Sequence, residues 1–461
     1  MKNKKYGLDL TQGGIAPVLL RFALPFIVSG VVSALYGAVD LFVIGYFTSQ
    51  EVISGVATGT MIMNIVYTFT IGLGTGGTVL VGRKVGERDN AGCARACGTF
   101  MSVGAIVAVG VTIAVALTRG PLLNVMQTPA EALPAAHNYV IWTTIGVPFN
   151  LGFAVIAAIA RGLGNSKTPS IVAGVGAVTN IVFDFLFVGA FGWSEMGVAL
   201  ATSISQLVTF AVMGVWLWKR KFPFAFSKKD FKIHGASAAS IFKVGIPLWL
   251  QDVLVTISFM IITGIVNAMG VVAGASVGLI AKVFSLGGTF PMAIGSAVAA
   301  MAAQNLGAGR RDRALKTLRW GIIYSLIIEV AAVAACQLAP EAICTLFANG
   351  KPEVIAGASA HLRSFSIDLI LVAFVFNLNS YLSGCGKSTV PMLHSLVATF
   401  GVRVPLSILF ANLDADVNSR LFYLGLAAPA ASIPSIVICV VFLYLHNRKQ
   451  KRLELQSGAH A

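Results

Sequence analysis

The chain has 461 residues, 56% hydrophobic and only 11% charged, with a net charge of +15. A soluble domain carries about 25% charged residues, so the composition excludes a water-soluble globular fold and indicates an integral membrane protein. The positive charge sits in short clusters between long apolar runs, which is a pattern of membrane orientation and argues against nucleic-acid binding.

The first apolar run, 15–46, follows "MKNKK" and mimics a signal peptide. It is too long for a signal core and carries Pro25 and Asp40, so it reads as a retained first helix. A span needs about 20 mainly apolar residues. Further runs of that kind lie at 52–82, 94–117, 134–160, 169–190, 195–219, 238–268, 273–303, 312–338, 357–383, 390–412 and 417–446. The expectation is an all-α integral membrane protein of twelve transmembrane helices. The longest runs must tilt, bend or protrude. The six cysteines lie mostly inside apolar runs and form no disulfide framework. Cys93 and Cys97, in "CARAC", have no further metal ligands nearby and read as small helix residues.

Charge fixes the orientation. Of the 33 Lys and Arg, 25 fall at the N-terminus, in the loops after spans 2, 4, 6, 8 and 10, or after span 12. Lys2, Lys4 and Lys5 begin this series. The alternate loops hold only Arg119, Lys351 and Arg420. Both termini are therefore expected in the cytoplasm, in a multi-pass protein of the plasma (inner) membrane.

"SGCGKST", at 383–389, suggests a phosphate-binding loop. Such a loop needs a glycine five residues before its Gly-Lys pair and a strand ahead of it. Counting back from Gly386 reaches Tyr381, inside an apolar run, so no nucleotide is expected. The stretch instead aligns with "RGLGNSKTP" at 161–169. Gly162, Gly164, Ser166 and Pro169 fall on Gly384, Gly386, Ser388 and Pro391, a shift of 222. The same shift carries Pro25 onto Pro247, and a shift of 221 carries Gly74 and Gly86 onto Gly295 and Gly307. Two parallel six-span halves follow. The expected order is a cytoplasmic tail at 1–14, an N-lobe at 15–219, a basic linker at 220–236, a C-lobe at 237–446 and a cytoplasmic tail at 447–461. Parallel repeats of this kind are a transporter architecture.

Ionisable groups inside a bilayer cost about 2.5–3.5 kcal/mol each and are functional candidates by default. Asp40, Asp184 and Thr202 each lie roughly 9–11 Å below the outer end of their helices at 1.5 Å per residue. Asn180 precedes Asp184 by one helical turn, and Tyr36 stands in the same relation to Asp40. Two carboxylates, an amide and a hydroxyl at one depth can hold a hard cation such as Na⁺, or the carboxylates can share a proton. The repeat places Ile262, Val402 and Leu406 opposite Asp40, Asn180 and Asp184, so the second half lacks this site. It has instead Asp252, Lys282, Glu329, Asp368 and Arg403, either a structural charge network or a substrate and coupling set. Asn64 and Asn150 suit a cavity lining or a helix–helix hydrogen bond. Met61, Met63, Met260, Met292 and Met301 suit an adaptable apolar wall, core filling or lipid contact.

The chain resembles the multidrug and toxic compound extrusion (MATE) family of secondary transporters over nearly its whole length. The resemblance rests on "FALPFIVSGVVSALYGAVDLFVIG", "GRKVGERD", "ARGLGNSKTP", "TNIVFDFLF" and "AAQNLGAGRRDRA", in order and at six-span spacing. It implies two six-helix lobes in a V around a central cavity, and export of cationic, amphipathic compounds in exchange for H⁺ or Na⁺. It implies an N-lobe coupling site at Asp40, Asn180, Asp184 and Thr202, and a helix bend near Pro25 and Gly30. Some relatives instead place coupling acids in the C-lobe, and Asp252 and Asp368 are the candidates for that role here. The expected partners are the lipid bilayer and small organic cations, with no cofactor beyond the coupling ion, no nucleic acid, and a monomeric state. A lipid-linked oligosaccharide flippase of the same superfamily is the nearest alternative. A channel is more distant, and so is a membrane-embedded enzyme, for which no catalytic motif is found.

Overall fold

A computed structural model describes residues 6–346 and 351–458. Lys2, Lys4 and Lys5 lie outside the described residues. The described residues form helices and turns without a strand. In the first half these are α1 (Ile15–Phe47), α2 (Gln50–Gly86), α3 (Asn90–Val125), α4 (Leu133–Thr144), α5 (Val147–Gly162), α6 (Lys167–Asp184) and α7 (Glu195–Arg220). The second half has α8 (Gly235–Ala268), α9 (Val271–Gly307), α10 (Arg311–Leu338), α11 (Pro340–Thr345), α12 (Pro352–Phe365), α13 (Ile367–Gly384), α14 (Thr389–Ala398), α15 (Val404–Ala411) and α16 (Val417–Gly458). Among the described residues eleven helical segments are long and apolar enough to cross a membrane, and α4 with α5, bent by 44°, makes a twelfth when the pair is counted as one span. The expected all-α, twelve-span architecture is what the chain adopts.

The internal repeat is visible in backbone detail. The α4–α5 bend falls where Pro148, near the start of α5, removes a helical hydrogen bond. The second half breaks at the equivalent place, Ser366, between α12 and α13. There the Gln337 amide donates to the Arg363 carbonyl at 2.6 Å, taking up an acceptor that the break frees. The glycine turns also match. Asn165 N–H donates to Ala160 O and Lys387 N–H to Leu382 O, both at 2.8 Å. Each turn passes through a left-handed glycine, Gly164 at φ +86° and Gly386 at φ +72°. This is the helix-terminating geometry that glycine favours. A Cβ on Gly386 would meet open space, so Gly386→Ala should cost only the left-handed strain, about 1–2 kcal/mol. The expected readout is a lower unfolding temperature in detergent than wild type, with Lys387→Ala unchanged.

By packing, the chain forms two compact units. The first runs to Trp249 and takes in Ala299–Thr317 and Gly384–Gly386; the second holds Leu250–Val298, Leu318–Ser383 and the chain from Lys387. Small residues explain why parts of α8 and α9 join the first unit. A Cβ on Gly72 would lie 2.6 Å from Gly245 O, and one on Gly76 would collide with Ile241 O. At the other end of α2, Gly86 lies against Gln304 O and Gly307 against Arg83 O. The Gln304 amide adds a bond to Gly162 O at 2.7 Å.

The N-terminal segment is tied into the same unit. Leu8 N–H donates to Gly164 O at 2.8 Å, and the Asn305 amide to Leu10 O at 3.1 Å. Arg310 donates to Thr11 O at 2.7 Å. Arg313 donates to Gly13 O at 2.7 Å and to Gln12 O at 2.8 Å. Basic residues that read as orientation signals thus also satisfy free carbonyls. The basic linker is strapped over α3, where Ser102 Oγ donates to Phe231 O at 2.7 Å. Asp230 caps its short helical turn, accepting from the Ser227 N–H at 2.7 Å and hydroxyl at 2.9 Å. These bonds hold the Asp230 carboxyl below the usual carboxylate range. Cys93 and Cys97 are buried in α3.

Candidate functional site

Three neighbouring helices of the first unit, α1, α6 and α7, build a polar centre. Asn180 and Asp184, one turn apart on α6, are 1% and 0% exposed, and Thr202 on α7 is 8% exposed. Oriented to satisfy both its ends, the Asn180 amide donates from its NH₂ to Asp184 Oδ2 at 3.1 Å. Its oxygen accepts from the Thr202 N–H at 3.2 Å. The Thr202 hydroxyl lies 3.5 Å from the same amide. Asp40, on α1, brings its carboxyl within hydrogen-bond range of the Asp184 carboxyl.

The chemistry of this cluster is unbalanced. Asp40 Oδ1 and Asp184 Oδ1 are buried without a hydrogen-bond partner. Among the described residues, the ion pairs are Lys84 with Glu87 and with Asp89, and neither aspartate has one. Two adjacent carboxylates in a low-dielectric interior repel strongly unless a positive charge joins them. The helix itself changes at this point. Immediately after Asp184 it widens into a π-helical turn, Phe185–Ala190, a feature often found at functional positions. Phe187 of that turn stacks on Trp193 at 5.1 Å.

Beside the cluster lies a cavity of about 220 Å³, lined by Ser33, Tyr36, Tyr67, Asn150, Asn180, Thr202, Gln206 and neighbours. The Gln206 amide donates to the Tyr67 hydroxyl at 3.0 Å. Thr60 Oγ1 donates to the Tyr139 hydroxyl at 3.2 Å. Reading the sequence missed Tyr67, Tyr139 and Gln206. Gln206 had a signal, since it follows Thr202 by one turn on α7; the tyrosines had none.

A family model described as MatE matches residues 25–186 and 247–409. The chain belongs to the MatE family. The two matched segments open on Pro25 and Pro247, the prolines that the repeat superposes. The probable multidrug resistance protein YoeA of Bacillus subtilis is 26% identical, over 93% of this chain and 94% of that protein. YpnP of the same organism, also described as a probable multidrug resistance protein, is 25% identical over 97% and 98%. A crystal structure of a MATE protein in complex with MaD3S superposes with a TM-score of 0.90 at 20% identity, over 97% of this chain and 99% of that one. MatE proteins are membrane transporters and not enzymes, and this chain is a multi-pass member.

The sequence-selected residues of this MatE protein separate into groups. Asp40, Asn180, Asp184 and Thr202 converge, and Tyr36 and Asn150 line the adjoining cavity. Pro25 and Gly30 lie within one continuous helix, α1. Its Phe26 ring carries the Arg161 guanidinium at 5.3 Å. Asn64, Met61, Met260 and Met292 are exposed on their helices and line neither this cavity nor the larger one in the second unit. Met63 and Met301 are core residues.

The structural charge network, one of the two readings of the second-half charges, does not form among the described residues. Lys282 is exposed, and Asp252 makes no side-chain hydrogen bond or ion pair among the described residues. Glu329 is 0% exposed with both carboxyl oxygens unpartnered. Asp368 accepts from Ser432 Oγ at 2.6 Å. Arg403 lies over the Phe259 ring at 4.1 Å. Asp368 and Arg403 influence one another electrostatically but do not come within ion-pair distance. The five charges sit on five different spans.

Proposed function

We propose that this chain is a secondary antiporter that exports cationic or amphipathic organic compounds in exchange for H⁺ or Na⁺. The observation that carries the reading is the Asp40–Asp184 carboxyl pair, buried beside Asn180 and Thr202 with no Lys or Arg partner. Hard oxygen donors with unused lone pairs suit either a proton or Na⁺. The multidrug names of the relatives agree with this reading.

In the proposed cycle the site fills from outside, and the cation removes the carboxylate repulsion. α1 then rearranges around Pro25 and Gly30, where the helix lacks a hydrogen bond and a side chain respectively. That change disfavours the bound drug, and the lobes rock to face inward for release of the cation and uptake of new substrate. The proposal includes a plasma (inner) membrane location with both termini cytoplasmic and no cofactor beyond the coupling ion. Cationic-dye efflux from proteoliposomes, with Na⁺ and pH gradients imposed separately, tests the reading. Efflux that neither gradient drives would sink it.

Thr202→Val separates the two ions. The Asn180 oxygen is held by the Thr202 backbone N–H, so the variant removes one oxygen ligand and leaves the rest in place. Under Na⁺ coupling, half-maximal Na⁺ should rise by about tenfold, the worth of one charge-assisted contact. Under H⁺ coupling the pH-driven rate should stay near wild type.

A further inference from the structure

The second unit encloses a cavity of about 460 Å³, twice the volume of the one beside the aspartates. The repeat relates part of its lining to the first half. Adding 222 to Asp40, Tyr139, Thr202, Ser205 and Gln206 gives Ile262, His361, Leu424, Ala427 and Ala428. All five line this cavity. The same shift carries Ile181, the residue after Asn180, onto Arg403, which lines it too. Of the starting residues, Thr202, Ser205 and Gln206 line the first cavity and Asp40, Tyr139 and Ile181 do not, so the two cavities overlap in part on one scaffold. In the second half the position of Asp40 and the polar α7 positions hold apolar residues, and the position of Ile181 holds an arginine. The fixed charge lining the second cavity is therefore a guanidinium.

Arg403 is set up to use that charge. It ends a π-helical turn, Thr399–Arg403, and its guanidinium lies over the Phe259 ring at 4.1 Å. Among the described residues no carboxylate lies within ion-pair distance of it. Asp368 feels its charge, but the Asp368 carboxyl is engaged by Ser432. His361 is engaged as well, its Nδ1 2.8 Å from Leu421 O. A guanidinium has five donors in a planar fork that fits a carboxylate. The remaining walls are apolar and aromatic, with Phe284 and Phe365 packed edge to face at 4.7 Å.

We propose that this cavity binds an organic monoanion with an apolar body, its carboxylate paired to Arg403 and its body laid against Phe259, Phe284 and Phe365. Anion binding here is independent of the cation chemistry at Asp40 and Asp184. This transporter thus carries two sites of opposite sign, one in each half.

The test uses the full chain in phosphatidylcholine nanodiscs and equilibrium binding of radiolabelled 2-naphthoate. Saturable binding is expected, at least about tenfold tighter than that of the neutral 2-naphthamide. Arg403→Met should weaken naphthoate by at least about tenfold and leave naphthamide unchanged. Ile262→Asp places a carboxylate in the same cavity as Arg403 and should weaken naphthoate similarly, whereas Ile262→Asn should not. Equal binding of acid and amide, or wild-type naphthoate affinity in Arg403→Met, overturns the proposal. If Arg403→Met does not fold, the Ile262 pair and the acid–amide comparison decide it in the same way.

Discussion

Asp184→Asn, and separately Asp40→Asn, should abolish gradient-driven export while leaving the protein folded. Each replacement keeps the shape of the side chain and removes one of two facing charges. Burying an amide is cheaper than burying an unpaired carboxylate, so the unfolding temperature should hold or rise. What is lost is the means of converting an ion gradient into work. A potential of 100 mV supplies about 2.3 kcal/mol per charge, which sustains roughly a fiftyfold substrate ratio. With the site disabled, the steady-state ratio of a dye across proteoliposome membranes should fall towards unity. On the proposed mechanism the two aspartates act on one bound cation, so the double variant should be no worse than either single one. Full dye accumulation in Asp40→Asn would remove the coupling role from this pair. Independent, additive losses would mean that the two carboxyls serve different steps.

The coupling candidates could be read from the sequence because depth in a membrane is a one-dimensional quantity. Counting residues from helix ends set Asp40, Asp184 and Thr202 at one height, and the structure brings them together around Asn180. The spans and the repeat were legible for a similar reason, since both depend only on spacing along the chain. Direction around a helix axis is another matter. Asn64 has a suitable depth, yet it is exposed on α2, and depth alone does not say which surface it faces. In the second half, charges that needed partners by depth did not find one another, because nothing in a hydropathy pattern fixes which way Lys282 or Glu329 points. The Arg403 cavity shows the opposite case. Part of its lining could have been read from the repeat once the first site was known, by asking what replaces each polar residue and not only which ones are absent.

Gly307→Val tests a part of the fold that spacing alone did not reveal, and it should destabilise the protein more than Gly386→Ala does. A side chain at Gly307 would collide with the backbone carbonyl of Arg83, and one at Gly86 with that of Gln304. Each glycine therefore faces a partner that cannot move away by changing rotamer. Overpacking against side chains costs about 1–3 kcal/mol; against backbone on both sides the upper end or more is expected. The neighbouring bonds should fail with it, because Gln304 and Asn305 reach Gly162 and Leu10 from the same turn of α9. The expected result is a large fall in unfolding temperature and faster proteolysis of the N-terminal segment. Gly110→Ala in α3 is the contrast. A Cβ there meets nothing within 4 Å, so replacing glycine in a helix should stabilise by up to about 1 kcal/mol. If Gly307→Val and Gly110→Ala shift the unfolding temperature alike, the α2–α9 contact is not a tight seam, and the inclusion of Ala299–Thr317 in the first unit needs another cause. If they diverge, the glycines paired at a shift of 221 are kept small by a backbone contact between the two halves of the repeat, and not only by the turns they precede.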